Sequence, residues 1–207
     1  MSARQPSPRY FELLEQYRDA HENGLLVQGE REPNVFTGKS LKPHIRRILA
    51  LLEGRGVQTL LDYGCGKAQY HSAREFELDG ETIPSLKAFW GVENVALFDP
   101  GVEAYSELPA GEFDAVISTD VLEHVDEQDV DFVLDQIFSK ARKIVYMNIS
   151  TRPAAKSLPN GENAHVTVRP PEWWKARIEA ATAGREVAFY CALEDGGPTI
   201  EEFRKGC

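Results

Sequence analysis

Hydrophobic positions recur along the chain first at a helical spacing and then in short runs suited to strands. Between residues 10 and 20, Phe11, Leu14 and Tyr17 fall three apart, the spacing that lines one face of a helix. The polar residues 1–9 before them carry two prolines and are expected to fray. A loop follows, punctuated by Gly24, Gly29, Pro33 and Gly38. Ser40 is placed to start a second helix over 41–53, with Ile45, Ile48, Leu49 and Leu52 on its buried face and Gly54 and Gly56 ending it. From residue 57 the pattern changes. Apolar runs at 59–63, 93–98, 115–118, 143–149 and 187–193 read as strands, and such continuous runs suit a parallel sheet covered on both faces. Helices are expected over much of 68–90, at 130–140 and at 172–183, the last introduced by Pro170-Pro171 and ended by Gly184. A terminal strand at 199–204, joined through Gly196-Gly197, predicts a closing antiparallel hairpin. Strand–helix alternation of this kind predicts an α/β sandwich around a mostly parallel sheet.

No linker or repeat divides the 207 residues, so one domain is expected: an N-terminal helical cap over 1–56 and an α/β core over 57–207. A chain this long buries roughly 70% of its unfolded surface and needs no staple. The net charge is −10. Binding to nucleic acid is driven by basic surfaces that displace counterions. Arg46-Arg47 and Arg142-Lys143 are isolated pairs, so nucleic acid is not an expected partner. Cys65, Cys191 and Cys207 match neither a disulfide framework nor a zinc spacing. His21, His44, His71, His124 and His165 show no paired ligand spacing, so no metal is expected. There is no apolar signal core, and no run approaches the ~20 apolar residues of a membrane span. A cytoplasmic, reducing location is therefore expected. Nothing in the sequence indicates an oligomeric state.

The most informative unit is Leu60-Leu61-Asp62-Tyr63-Gly64-Cys65-Gly66-Lys67. A buried strand runs into a glycine-rich turn, at the carboxyl end of a strand where open α/β sheets bind their ligands. Gly64 and Gly66 can take positive φ and admit a ligand close to the backbone. Asp62 is placed to accept a hydrogen bond from an ammonium group. A dinucleotide site would require a third glycine, and Gln69 stands there instead. Asp99, at the end of the next strand, can accept bonds from two ribose hydroxyls. It also begins Asp-Pro-Gly, an ordinary turn sequence. Further along, Phe113-Asp114-Ala115-Val116-Ile117-Ser118 leads directly into Thr119-Asp120-Val121-Leu122-Glu123-His124-Val125.

Together, LDYGCG, FDP, FDAVISTDVLEHV and RKIVYMNIS resemble the class I S-adenosylmethionine (SAM)-dependent methyltransferases. They are most similar to the methyltransferase-domain group whose fourth strand reads FDxVxxxxxLEH. The resemblance spans residues 57–150. It implies a Rossmann-like three-layer sandwich with a seven-stranded sheet ordered 3-2-1-4-5-7-6, the last strand antiparallel. It also implies roles. Asp62, Gly64, Cys65 and Gly66 would cradle the methionine part of SAM. Asp99 would hold the ribose, with Pro100 beside the adenine, and Thr119, Asp120 and Val121 would face the cofactor from the other side. Two departures stand out. Only positions 100–113 separate Asp99 from Asp114, so the third strand is expected to be missing or a stub, and no acid can be assigned to the adenine. Asp62 and Asp99 are 37 positions apart, against about 20 in the dinucleotide pattern, so an insertion is expected between the first two strands.

For the chemistry, a hydroxyl acceptor needs its proton removed, which suits histidine. The polar stretch Leu158-Pro159-Asn160-Gly161-Glu162-Asn163-Ala164-His165 follows the fifth strand of the resemblance. It offers His165 as general base or substrate contact, and Asn163 to orient it or bind substrate; an ordinary loop histidine is the competing reading. His124 is expected to be structural. One of Trp173 and Trp174 should face the core, leaving the other for plain surface packing, the simpler reading, or for a pocket or a subunit contact. Tyr10, Tyr17, Phe36 and Lys39 in the cap are candidates to reach the cofactor, though helix packing explains the aromatics equally well. The (D/N)PPY motif of amino-methylating DNA enzymes is absent after the fourth strand. The expected activity is methyl transfer from SAM to a small-molecule or glycan acceptor, on oxygen. The alternatives are a non-catalytic SAM-fold interaction module, motivated by the compressed 100–113 region, and an NAD-dependent oxidoreductase, disfavoured by Gln69.

Overall fold

The computed structural model describes residues 4–27, 30–196 and 199–207. Gly29 and Gly197, both expected in connections, lie outside the described residues, as do residues 1–3. Helix α1 (Pro8–Asn23) begins two residues earlier than its apolar spacing indicates. Ser7 caps it by accepting from the Tyr10 N–H, and Pro8 occupies the first turn, where an N–H has no helical partner. The Ser7 N–H and hydroxyl both donate to Asp129, at 2.7 and 2.6 Å. That anchor, with the Arg4 ion pair to Asp131, ties down the start of a segment expected to fray.

The cap is not purely helical, which corrects the expectation for residues 1–56. After Gly24, β1 (Leu25–Val27) pairs antiparallel with β2 (Glu30–Glu32). The second helix is also split. Residues Lys39–His44 form a 3₁₀ stretch, and α2 (Ile45–Leu52) follows. Pro43 lies at the break, where it has no N–H to donate and its ring crowds the preceding turn.

The core then runs β3 (Thr59–Tyr63), α3 (Gln69–Ser72), β4 (Phe76–Leu78), β5 (Glu81–Ile83), α4 (Leu86–Trp90) and β6 (Asn94–Phe98). The insertion expected between the first two core strands is present, but its contents differ from the mostly helical stretch predicted. β4 and β5 form a hairpin whose two-residue turn, Asp79-Gly80, has φ of 52° and 82°. Asp-Gly with two left-handed residues matches the twist of a tight hairpin, so the dipeptide itself encodes the turn. The chain continues with β7 (Phe113–Thr119), α5 (Val130–Ser139), β8 (Ala141–Ser150), β9 (Lys156–Ser157), α6 (Pro171–Ala181), β10 (Ala188–Glu194) and β11 (Thr199–Lys205). β9 pairs antiparallel with β1 and completes a small three-stranded sheet in the cap.

The central sheet has six strands, ordered β11-β10-β8-β7-β3-β6. Every pairing is parallel except β10 with β11. Among the described residues, the connection from β6 to β7 holds only a 3₁₀ turn at Glu103–Tyr105, so the third strand of a seven-stranded sheet is missing rather than reduced. The expected order 3-2-1-4-5-7-6 also needs correcting at its far end. There β10 lies beside β8, and the terminal antiparallel strand takes the edge. The cause is in the side chains. β10 is buried along nearly its whole length, whereas Phe203 is the one buried residue of β11. Charged side chains on an exposed strand also discourage edge-to-edge pairing.

Helices cover both faces. On one side Leu134 and Ile137 of α5 and Trp174 and Ile178 of α6 pack against Val116, Val145 and Cys191. On the other, Ile45 and Ile48 of α2 and Trp90 of α4 pack against Leu60, Ile117 and Ala192. Trp174 is fully buried, and Trp173 stands against the Arg177 guanidinium at 4.6 Å. The isolated basic pairs face acids: Arg46 bonds Asp79 and Glu81, and Arg142 and Lys143 both approach Asp114. No helix among the described residues is long and apolar enough to cross a membrane.

Ile117, in the middle of the sheet, is completely buried, while Ile200 on the edge strand is half exposed. Replacing Ile117 with alanine is expected to lower unfolding stability by about 2–5 kcal/mol, through lost burial and the cavity left behind. Ile200→Ser should change it by less than about 0.5 kcal/mol. Urea titration of both variants checks the contrast.

Candidate active site

β3 ends at Tyr63 and the chain turns through Gly64 (φ 87°) and Gly66 (φ 56°). Both N–H groups of Gly64 and Cys65 donate to the Phe98 carbonyl, at 2.7 and 3.1 Å. The Gly66 N–H donates to Asp99 Oδ2 at 2.8 Å, and the Gly101 N–H to Asp99 Oδ1 at 2.9 Å. The glycine turn and the end of β6 are thereby clamped together. A Cβ on Gly64 would collide with the Val121 side chain, and one on Gly66 with the Phe36 carbonyl. Space and backbone angle both require glycine at these two positions.

Beside this turn lies a cleft of about 880 Å³, open to solvent. Gly64, Gly66, Asp99, Pro100, Thr119, Asp120 and Val121 all line it, as do Tyr10, Tyr17 and Phe36 of the cap. Lys39 is not among its lining residues. Asp62 and Cys65 line a smaller adjoining cavity with room for about one water-sized group, which shares Gly38, Gly64 and Thr119 with the cleft. Phe36 and Asp120 are non-glycine residues with φ of 50° and 52°. Such strained backbone is held only where surrounding contacts enforce it, and it gathers at functional sites.

Burial governs the electrostatics. It pushes the Asp99 carboxyl up to about 6, against the two N–H bonds that favour its charged form. It pushes His21 down to about 4 and His124 down to about 3, so both are neutral at pH 7. Asp120 is raised by burial, opposed by Asn148, whose Nδ2 donates to its Oδ1 at 2.6 Å. Glu123 is fully buried and raised well above the usual carboxyl range, first by burial and then by Asp120.

The Leu-Glu-His segment ties the loop after β8 to the end of β7. Leu122 is in the core. Glu123 Oε1 accepts from the Ser150 N–H at 2.9 Å, and its carbonyl accepts from the Thr167 N–H at 3.0 Å. His124 Nδ1 donates to the Ala164 carbonyl at 2.6 Å, and the Tyr17 hydroxyl donates to the same oxygen at 2.8 Å. His124 therefore holds structure and also lines the cleft. Asn163 staples the same loop: Oδ1 accepts from the Ala154 and His165 N–H groups, both at 2.9 Å, and Nδ2 donates to the Ala154 carbonyl. His165 Nδ1 donates to the Arg152 carbonyl at 2.6 Å. Its ring meets His124 edge to face at 4.9 Å, and neither His165 nor Asn163 is among the residues that line the cleft. His21, near Asp99 at 3.8 Å, was not singled out in the sequence; nothing in its local pattern marks it. No group of three or more acidic, histidine or cysteine side chains suited to a metal occurs among the described residues.

A parallel sheet whose glycine turn and strand-end carboxylate flank one cleft is the arrangement in which α/β enzymes bind ligands beyond the carboxyl ends of their strands. Residues 34–184, well over half of the chain, match the family model described as methyltransferase domain. The chain belongs to that family and is a class I SAM-dependent methyltransferase. No curated protein matches it. The residues present fit the cofactor that the family generally uses. Asp99 offers a buried acceptor in the cleft, aromatic side chains line the walls, and Asp62 Oδ1 is buried without a partner.

Asp99 generates a pH prediction. Its folded pKa lies above that of the free carboxyl, so protonation persists to about pH 6. As a ribose acid, Asp99 would accept from the hydroxyls in its ionised form. Affinity for S-adenosylhomocysteine is therefore expected to fall as pH drops from 7 to 5, and to be nearly flat over that range in Asp99→Ala. At pH 7 the variant should bind roughly 10–100-fold more weakly, the loss of hydrogen bonds to a charged group. Calorimetric titration at several pH values measures both effects. By linkage Asp99 by itself contributes stability that is lost as pH rises from about 4 to 6, because the folded state holds its proton more tightly there, while the neutral burial of His21 and His124 contributes in the opposite direction.

Proposed function

We propose that this methyltransferase uses SAM to methylate a hydroxyl oxygen on a small-molecule or saccharide-type acceptor. In this reading His165 is the general base and Asn163 its positioning residue. The observation that carries it is the protonation pattern of His165. Its Nδ1 hydrogen is committed to the Arg152 carbonyl, so Nε2 carries the lone pair. Burial lowers its pKa, which keeps the ring neutral and able to accept a proton at pH 7. Asn163 bonds the His165 N–H and so fixes the backbone from which the ring projects.

SAM would supply an electrophilic methyl group for in-line displacement. The chain would contribute orientation, exclusion of water and one proton-accepting site. Gly64, Gly66 and Asp99 would hold the cofactor on one side of the cleft, and Thr119, Asp120 and Val121 on the other. Tyr10, Tyr17 and Phe36 form apolar walls, which strengthen the polar interactions inside by excluding water. The acceptor hydroxyl would lose its proton to His165 Nε2 as the new C–O bond forms. Placing acceptor and methyl in line supplies much of the rate. The net charge of −10 and the pairing of the basic clusters with acids support a small acceptor over nucleic acid.

The test is methyl transfer from SAM to a panel of phenols, sugars, amines and thiols. Turnover is expected on a hydroxyl compound. His165→Ala should lower kcat by about 10²–10⁴-fold, with affinity for S-adenosylhomocysteine unchanged. Turnover confined to amines or thiols, or an unaffected His165→Ala, would sink the reading.

A further inference from the structure

The smaller cavity beside the cleft contains a pair of buried side chains, Asp62 and His71, of which the functional reading leaves His71 without a task. Asp62 is the penultimate residue of β3 and is 2% exposed. Its Oδ2 lies 2.7 Å from His71 Nε2. Since a carboxylate oxygen only accepts, His71 Nε2 carries the hydrogen of this bond. Asp62 Oδ1 is buried with no partner at all. An unpartnered oxygen on a buried carboxylate is costly, and native structures rarely leave one without a donor. Thus one carboxylate oxygen is fixed by a neighbour and the other is free, in a cavity that joins the cleft through Gly38, Gly64 and Thr119.

The imidazole is itself held firmly. His71 lies on α3, and its ring packs edge to face on Trp90 at 6.0 Å. Trp90 in turn donates Nε1–H to the Ile45 carbonyl at 3.0 Å, so α4 is tied to α2. The extra length between β3 and β6 therefore supplies the scaffold that seats His71 against Asp62.

We infer that His71 is a positioning residue for the amino-acid end of the cofactor. It anchors Asp62 Oδ2 so that Oδ1 stands ready for an ammonium group entering the smaller cavity. This rests on the reading of the cleft as a SAM site. The ligand class follows from the chemistry. An ammonium group brings hydrogens to an orphaned anionic acceptor, and the nucleoside end stays in the larger cleft with Asp99.

The experiment compares two ligands that share the thionucleoside. S-adenosylhomocysteine carries the amino-acid end, and 5′-methylthioadenosine lacks it. Calorimetric affinities are measured for wild type, His71→Asn and His71→Gln. The asparagine amide reaches only the Nδ1 position, whereas the glutamine amide reaches that of Nε2. His71→Asn is expected to weaken S-adenosylhomocysteine by roughly tenfold or more, the value of a charge-assisted hydrogen bond. Binding of 5′-methylthioadenosine should stay within about twofold, and His71→Gln should recover most of the loss. Equal weakening of both ligands, no weakening of either, or no recovery with glutamine would overturn the positioning role while leaving the cofactor site standing. Equal wild-type affinity for both ligands would do the same. Failure of wild type to bind either ligand would overturn the cofactor site itself and this inference with it.

Discussion

The Phe98 carbonyl accepts hydrogen bonds from two successive N–H groups, those of Gly64 and Cys65, and the arrangement of the site depends on that clamp. It extends the parallel ladder of β3 and β6 by one step beyond the pair Tyr63 and Phe98. The next residue on each side, Gly66 and Asp99, is joined by the bond from the Gly66 N–H to the carboxylate. The glycine turn and its acid thus move as one body. Val121 presses on the open side of Gly64, leaving no room for a Cβ. A side chain at Gly64 would disturb three strand ends together, because β3, β6 and β7 meet there.

The second wall of the cleft comes from chain that precedes the matched family region. α1 lies before residue 34, where that region begins, yet Tyr10, Leu13, Leu14, Tyr17 and His21 all face the cleft. Contacts that hold the helix there include Ser7 on Asp129, Tyr17 on the Ala164 carbonyl, Gln16 on the Asn160 N–H, and Arg18 on the Pro100 carbonyl. This cover removes water from the groups beneath it. Asp99 rises and His21 and His124 fall for the same reason, that burial penalises whichever form is charged. Perturbed groups of both kinds around one concavity are the electrostatic mark of a reactive site.

The Leu-Glu-His segment joins the two halves of this arrangement. Glu123 and His124 bond the backbone at Ser150, Ala164 and Thr167, so the loop that carries Asn163 and His165 is set by the end of β7. Glu123 Oε2 and Asn148 Oδ1 remain without partners in the same region. Buried polar atoms left without partners are costly, and the hydrogen bonds to the Ser150, Ala164 and Thr167 backbone are what hold this segment to the end of β7.

The sequence by itself determined the parallel sheet, the closing hairpin, the absence of a third strand and the insertion between β3 and β6. Each is written locally, in apolar runs, glycine placement and the distance between motifs. It also placed Gly64, Gly66, Asp99 and Thr119–Val121 at strand ends, where an α/β sheet meets its ligands. The Asp79-Gly80 turn was equally legible but lay between short strands, with Leu78 and Ile83 as their buried residues, so the run looked helical. Only the tertiary structure decided the rest. The small cap sheet needs β9, about 130 positions after β1. The edge position of β11 depends on which strand finds cover on both faces. The contact of His71 with Asp62 depends on the packing of α4 against α2. Periodicity reports which face of an element is apolar. It cannot report which distant group comes to rest against that face, and here those distant groups decide which carboxylate oxygen is buried without a partner.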